Sequence, residues 1–419
     1  MITPAIGHAT TPTPIIAIGA GNRMRTYMRY VAQNPATVRL VALAEPDEVR
    51  RNSLGDLMGL PENLRFADYN DLFKAGIKAD AAIIATPESE HFRPTMLALH
   101  AGCHVLLEKP IAQTYEQCLE IASEARKCGR KVAICHVLRY HPMFLKIKEL
   151  VDSGMYGRII SVSHVEEVGI DRGTHSYVRG TMNREKENNP LLLAKSCHDM
   201  DFLLWLTGKR CKRVSSFGSL AWFRSENAPE NSAMRCTECG FEKKCPYSAI
   251  DLYKRRRDWI SNFIPAPGEN VGDVIERELR EGKFGRCVYH CDNDVADNQV
   301  VTMQLEDKTL VTLSINLFTQ RDCRAIEIGL TEGQISCDGK SVQARDFRTR
   351  HTDIFDFSRI AEAPYHGGAD FSLIADFMRL IRGEKNDIAT EIDDALEAHR
   401  VIFEAERSRK NGVTVNLID

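Results

Sequence analysis

From Pro14 to about Ile134 the chain alternates short apolar runs with amphipathic stretches. Ile15-Ile16-Ala17-Ile18-Gly19, Val38 to Ala44, Ala81-Ala82-Ile83-Ile84-Ala85, Val105-Leu106-Leu107 and Lys131 to Ile134 read as strands. Asn22 to Gln33, Pro46 to Met58, Ser89 to His100 and Tyr115 to Cys128 read as helices between them. Strands that alternate with helices of this length imply βαβ units, and unbroken apolar runs imply a parallel sheet covered on both faces. After Arg139 the pattern changes. A helix from Pro142 to Asp152 and a strand from Ile159 to Val168 precede a long polar loop, Gly169 to Asn189, and a helix from Lys195 to Leu206. Val300 to Leu305, Leu310 to Phe318, Ala325 to Leu330 and Gly333 to Cys337 are consecutive β-type runs with tight turns, which predicts an antiparallel meander. Helices return at Asp370 to Arg382 and Glu391 to Arg409, and Val413 to Leu417 reads as a short final strand. Ala221 to Cys291 stands apart, with clustered cysteines, prolines and charged runs, and reads as an insertion. The expectation is an α/β chain with a first domain over residues 1–135 and a second over 136–419.

Composition narrows the class. The 419 residues carry 55 basic and 58 acidic side chains, a net charge of −3, which argues against a polybasic nucleic-acid or membrane-surface protein. Mean hydropathy is −0.29, and no apolar run approaches the roughly 20 residues that span a bilayer. Met1 to Pro14 has no basic stretch followed by an apolar one, so no secretory signal is expected. Thirteen cysteines, an odd and dispersed set, make a poor disulfide framework and point to a reducing cytoplasm.

Three short segments carry candidate chemistry. Gly19-Ala20-Gly21-Asn22-Arg23-Met24 follows the first strand and opens the first helix, where two glycines permit a tight turn and the helix N-terminus suits a pyrophosphate. Met24 stands where a third glycine is usual. Glu45, at the end of the second strand, is placed to bind ribose hydroxyls and to repel a 2′-phosphate, favouring NAD over NADP. A tight turn with a solvated Glu45 is the competing reading. Glu108-Lys109-Pro110 follows the strand at Leu107, so the Lys109 ammonium would stand at the carboxyl ends of the strands and stabilise a developing alkoxide. Lys195-Ser196-Cys197-His198-Asp199-Met200-Asp201 opens a helix on which Lys195, His198 and Phe202 share a face. His198 is a candidate general acid or base, and Asp201 would orient it or line the same pocket.

Cys236-Thr237-Glu238-Cys239 is a C-x2-C pair, and Cys245 follows after five more residues. Three thiols at this spacing predict a structural zinc site that needs a fourth ligand from Cys287, His290 or Cys291; Cys287 is preferred because Gly285-Arg286 allows a turn before it. Such an ion would staple an insertion too small to hold a core of its own. The polar loop Asp171 to Arg184, with Arg172, His175, Tyr177, Arg179 and Arg184, is a candidate binder of a polyhydroxylated or anionic substrate, and Arg139-Tyr140 follows the sixth strand near the same crevice.

Taken together, the glycine turn, Thr86-Pro87 with His91, Glu108-Lys109-Pro110 and Lys195 to Asp201 resemble the glucose–fructose oxidoreductase/inositol dehydrogenase (Gfo/Idh/MocA) family, from Ile15 to the last helices. The resemblance implies an N-terminal Rossmann domain with NAD as cofactor, and a C-terminal α/β domain whose large open sheet mediates homo-oligomers. It implies that Thr86, Pro87 and His91 lie by the cofactor, Glu108 and Lys109 at the nicotinamide, and His198 at the reacting hydroxyl. Two departures matter. The aspartate often found four residues before the histidine is Ala194 here, with Lys195 beside it, so the base is either Lys195 or His198. The cysteine-bearing insertion is absent from most members. The expected activity is NAD-dependent oxidation of a sugar, sugar acid or cyclitol. The alternatives are a glycosidase that recycles bound NAD, acting on an anionic sugar such as a sulfonated one, and a non-catalytic NAD-binding regulator.

Overall fold

A computed structural model describes residues 11–263, 265, 268–361, 364–384 and 390–418. Most of the expected signal-free N-terminal stretch, residues 1–10, lies outside them. The chain forms two compact units. One comprises the described residues of 11–112, 116–135 and 370–392; the other comprises 113–115, 136–369 and 393–418.

The first unit is a six-stranded parallel sheet of β1 (Thr13–Ile18), β2 (Val38–Ala44), β3 (Arg65–Phe66), β4 (Ala81–Ile84), β5 (His104–Leu107) and β6 (Val132–Ile134). Its spatial order is β3-β2-β1-β4-β5-β6. Every residue of β4 and β6 is buried, as expected of strands covered by helices on both faces. Helices Asn22–Gln33, Glu48–Leu57, Phe92–His100 and Tyr115–Cys128 supply that cover. The strand order reverses between β1 and β4, the point at which doubly wound sheets take their ligands.

The second unit is built on nine strands: β7 (Ile159–Glu167), β8 (Cys211–Ser219), β9 (Asn298–Leu305), β10 (Leu310–Asn316), β11 (Cys323–Leu330), β12 (Gly333–Cys337), β13 (Ser341–Asp346), β14 (Thr352–Asp356) and β15 (Val415–Asn416). They lie in the order β14-β13-β12-β11-β7-β10-β9-β8-β15. The expected unbroken meander is corrected. β7 separates β10 from β11, running parallel to the first and antiparallel to the second. One face of the sheet packs on helices Pro142–Asp152, Leu191–Thr207 and Ile392–Asn411 through one large apolar cluster. The other face exposes Phe217, Ile160, Leu310 and Ile354, which gives the strands the alternating pattern of a sheet buried on one side.

Two further expectations change. The polar loop after β7 is instead a helical turn, Ile170–Arg172, running into a wide i-to-i+5 turn over Gly173–Arg179 whose side chains are mostly buried. The insertion also has a small apolar core, in which Leu252, Tyr253, Phe263, Val274, Ile275 and Leu279 pack together.

Candidate active site

The cofactor half lies in the first unit. Gly19 has φ +96°, and a Cβ on it would sit 2.5 Å from the Ala85 carbonyl oxygen, so the first glycine is required by both conformation and close approach. Gly21 caps helix Asn22–Gln33 without a side-chain bond, and no acidic residue stands in the first turn. A Cβ on Gly21 would meet nothing within 4 Å, which leaves open space at the positive end of the helix. The Glu45 carboxylate accepts the Ala20 N–H (2.7 Å) and the Asp47 N–H (3.0 Å), tying the end of β2 to the glycine turn. A carboxylate has about four acceptor sites, so two such bonds leave capacity for ribose hydroxyls. A dinucleotide therefore fits this cradle.

Three residues expected at the cofactor are used inside the protein instead. Met24 is fully buried and packs its helix onto the sheet, the task the third glycine performs by being small. Arg23 donates through Nε to Glu108 (2.7 Å) and through Nη2 to Asp370 (2.7 Å) and Tyr27. Its charge is thus matched by two carboxylates rather than turned wholly toward a phosphate. His91 is buried; its Nδ1–H donates to the Pro110 carbonyl (2.6 Å), and Nε2 lies 3.2 Å from the Thr86 carbonyl. It braces the Thr86-Pro87 turn against the Pro110 turn. The Thr86 hydroxyl donates to the Glu90 carbonyl (3.2 Å).

Glu108 is buried, which disfavours its charged form, yet Arg23 and the Tyr27 hydroxyl outweigh burial and hold it below the usual carboxylate range. It is an anchor. Lys109 joins Pro110 through a cis peptide. Its side chain is 17% exposed, and its ammonium stands 3.9 Å from Glu88 Oε1, the outer limit of an ion pair. Asp370 was not legible as a member of this half, because it is 347 residues from its partner.

The second unit holds the other candidates. Helix Leu191–Thr207 breaks its regular geometry at Ser196 (φ −104°, ψ 17°). A regular helix puts residues three apart on one face, and this break falls between Lys195 and His198. Lys195 is buried and pairs with Glu166 (2.7 Å) and Asp322 (3.6 Å). Burial lowers the Lys195 pKa and raises that of Glu166, against the attraction between the two. Arg324 lies directly across from Glu166 in the β7–β11 ladder and bridges it (2.9 Å) to Asp199 (2.6 Å). Asp199 also faces His164 Nε2 at 3.0 Å. Burial opposes the Asp199 charge, but Arg324 and His164 hold the acid well below the carboxylate range. Glu166, His164 and Arg324 escaped the sequence reading. The available signal was phase: His164 and Glu166 share the buried side of β7 with Val162.

His164, Glu166 and Asp199 are also the one trio of potential metal-ligand atoms within 4.8 Å of one another among the described residues. Lys195 and Arg324 already neutralise these acids, so the trio reads as an ion-pair network. His198 instead lies against His136 (ring centroids 5.7 Å), which in turn lies 6.0 Å from His399.

The residues expected to contact substrate all have partners within the second unit. Asp201 accepts both Arg139 Nε (2.8 Å) and Nη2 (2.6 Å) in a buried bidentate pair. Arg139 is therefore committed as well, and Tyr140 is buried in the same turn. His175 is stacked between Phe284 (4.6 Å) and Trp259 (5.2 Å) and meets the Tyr253 hydroxyl at 2.8 Å. Arg179 is wholly buried against the insertion. Arg172 pairs with Asp322, and Arg184 with Asp294 and the Asp292 carbonyl. His175 and Arg179 tie this segment to the insertion, while Arg172 pairs with Asp322 outside it.

Burial takes His175 down to about 4 from an unfolded value near 6.5. Its folded pKa is depressed, so the unfolded chain binds more protons in that window. The contribution is fully present above pH 6.5 and lost as pH falls through 4, about 3 kcal/mol in all. Thermal melts of His175→Phe should lose less stability than the parent between pH 6.5 and 4. Parallel profiles would reject the assignment.

Two family models match. Residues 14–136 match the model described as "Oxidoreductase family, NAD-binding Rossmann fold", and 148–417 match "Oxidoreductase family, C-terminal alpha/beta domain". A putative oxidoreductase, YteT, of Bacillus subtilis is 23% identical over 271 residues, 62% of this chain and 60% of the relative. Inositol 2-dehydrogenase 1 of Saccharopolyspora erythraea is 28% identical over 200 residues, 47% of this chain and 55% of the relative. The match thus spans 60% or less of these relatives' length. Among solved structures, an oxidoreductase of Agrobacterium radiobacter in complex with NAD+, L-tartaric acid and magnesium superposes with a TM-score of 0.69 at 15% identity, covering 97% of this chain and 98% of the other. An inositol dehydrogenase homologue of Azotobacter vinelandii, complexed with NADH and myo-inositol, gives 0.66 at 14% identity, covering 97% and 98%. The parallel sheet with its glycine turn and the open nine-stranded sheet are those of one family, and the chain belongs to it: the Gfo/Idh/MocA oxidoreductases.

Proposed function

We propose that the protein is an NAD-dependent dehydrogenase of a polyhydroxylated substrate, a sugar, sugar acid or cyclitol, and that it oxidises one secondary hydroxyl to a ketone. The observation that carries this reading is the Lys109 turn. The Glu108 carboxylate is engaged by Arg23 and Tyr27, while the Lys109 ammonium stands at the carboxyl end of β5, 3.9 Å from Glu88 Oε1. Bound NAD supplies the hydride acceptor. Gly19, Gly21 and Asn22 would cradle its pyrophosphate, Glu45 its ribose, and Thr86, Pro87 and Lys109 would line its reactive end. Lys109 holds the substrate oxygen and stabilises it as its proton leaves. His198 is proposed as the proton acceptor. Lys195, engaged by Glu166, is proposed to position the substrate-side helix rather than to take the proton. The zinc expected at the insertion's thiols has no step in this reaction.

A self-association surface is proposed on the open sheet face, where Phe217 is 71% exposed. Thirteen free thiols suit the proposed cytoplasmic setting. No helix among the described residues is long and apolar enough to cross a membrane.

The test is an assay of the purified protein with NAD and a panel of aldoses, aldonic acids and cyclitols, read as nicotinamide reduction. Reduction with at least one member supports the proposal. Bound NAD that stays oxidised throughout while glycosides are cleaved contradicts it.

Cofactor choice is separately testable. Glu45 should make NADP bind at least about tenfold more weakly than NAD, a difference of about 1.4 kcal/mol. Arg51, a potential phosphate partner, instead donates to the Glu45 and Pro46 carbonyls (2.7 and 3.1 Å). Equal or tighter NADP binding in a titration would show that a basic residue overrides the carboxylate.

A further inference from the structure

The insertion between β8 and β9 contains a charge without a visible counterpart. Arg179 reaches into it at 0% exposure. Its Nε and Nη2 donate to the Arg286 and Tyr247 carbonyls, and Nη1 is buried without a hydrogen-bond partner. Among the described residues no carboxylate pairs with it. A buried, uncompensated cation is among the costliest arrangements a protein can hold.

The groups around this cation include sulfur. Arg179 Nη2 points at Cys236 Sγ, 3.9 Å away. An antiparallel β-bridge between Arg235 and Arg286, closed by the Cys287 N–H on the Met234 carbonyl (2.9 Å), puts Cys236 and Cys287 diagonally across it on the same face. One tight turn leads from Cys236 to Cys239, and a second, Glu242–Lys244, delivers Cys245. The Tyr247 N–H is directed at the Cys245 sulfur and the Tyr289 N–H at the Cys287 sulfur, two residues on in each case. The other candidates for fourth ligand are turned away: the Cys291 thiol meets the Cys287 carbonyl (3.2 Å), and His290 Nε2 meets the Ser232 hydroxyl (3.2 Å).

We infer that Cys236, Cys239, Cys245 and Cys287 are the thiolate ligands of one structural zinc ion and that Arg179 is the buried counter-charge of that centre. Four thiols lose their protons to solvent as the ion binds. The product, Zn²⁺ with four thiolates, carries a net charge of −2, half of which Arg179 offsets. No three of these sulfurs lie within 4.8 Å of one another, whereas thiolates on a tetrahedral zinc stand about 3.8 Å apart. The ion must therefore draw the two bridged segments and the following turns inward. A closed four-sulfur site leaves no open position, so its role is structural.

The experiment uses the full chain, purified without chelator or affinity metal and dialysed against metal-free buffer. Elemental analysis should give about one zinc per chain, released in step with four thiols on titration with a mercurial. Cobalt exchanged into the site should show a thiolate-to-metal charge-transfer band. Cys291→Ser should keep the metal; Cys287→Ser and Cys239→Ser should lose it. Arg179→Met should retain zinc less tightly against a competing chelator. Folded parent protein with no zinc, or with iron in its place, overturns the inference, as does a Cys287→Ser variant that keeps a full equivalent. NAD affinity of the folded parent reads the cofactor half independently, so failure here leaves the dehydrogenase reading intact.

Discussion

Lys109→Ala is expected to lower kcat by about 10³-fold or more while NAD affinity stays within about tenfold. The magnitude is that of a positioned proton-handling or alkoxide-stabilising group. Affinity is spared because the glycine turn, the helix N-terminus and Glu45 are built from other elements, and the adjoining turn is held by Glu108 on Arg23 and by His91 on the Pro110 carbonyl. A group that acts only as the reacting oxygen gains charge lowers kcat and kcat/KM together. Stopped-flow NAD binding and steady-state turnover on the same preparation separate the two quantities. A variant that keeps most of its kcat rejects the role. One that loses NAD binding to the same degree as turnover would make Lys109 a cofactor clamp instead.

The second large effect is on stability. Arg324 is the cation between the buried acids Glu166 and Asp199. Arg324→Met should cost about 3–5 kcal/mol, because removing one member of a buried ion network leaves uncompensated charge, and should lower Tm by roughly 10 °C. The sign of its pH dependence follows. In the parent, Arg324 and His164 keep Asp199 well below the carboxylate range, so its stabilisation is present above the unfolded value near 3.9 and lost only as pH falls below it. In the variant the acids protonate more readily, so the deficit should shrink as pH falls from 7 toward 5. Arg324→Lys should recover part of the loss. A deficit below 1 kcal/mol at pH 7, or one that does not change with pH, contradicts the network.

Much of the first unit was legible because its strands are covered on both faces. Ile15 to Ile18 and Ala81 to Ile84 announce themselves as unbroken apolar runs, and the glycines that must turn tightly sit directly after the first of them. The second unit hid more. β8, β13 and β14 expose one face, so Lys212, Gln343 and Asp353 interrupt any apolar run, and no strand was assigned there. The place of β7 between β10 and β11 depends on a parallel pairing across about 150 residues, which no local pattern records. The site divides in the same way. Residue type and spacing indicated Lys109, Glu45 and His198, but not which neighbours would take up their charges. Arg139, Asp201, His175 and Arg179 looked like substrate contacts because they are polar and lie near expected crevices. Each has partners within the fold: Asp201 for Arg139, aromatic rings for His175, and two backbone carbonyls and a sulfur for Arg179, whose Nη1 is left over. The irregular backbone at Ser196, between Lys195 and His198, left no mark in the residue pattern.

The most direct test of the account follows the hydride itself. A substrate identified by nicotinamide reduction is prepared with deuterium on the carbon that bears the reacting hydroxyl, incubated with the enzyme and NAD, and the nicotinamide is analysed by mass spectrometry. The account predicts one deuterium in the reduced nicotinamide for each ketone formed, accumulating about 10³-fold more slowly with Lys109→Ala. Deuterium retained in the product, with no labelled nicotinamide accumulating, would contradict net dehydrogenation.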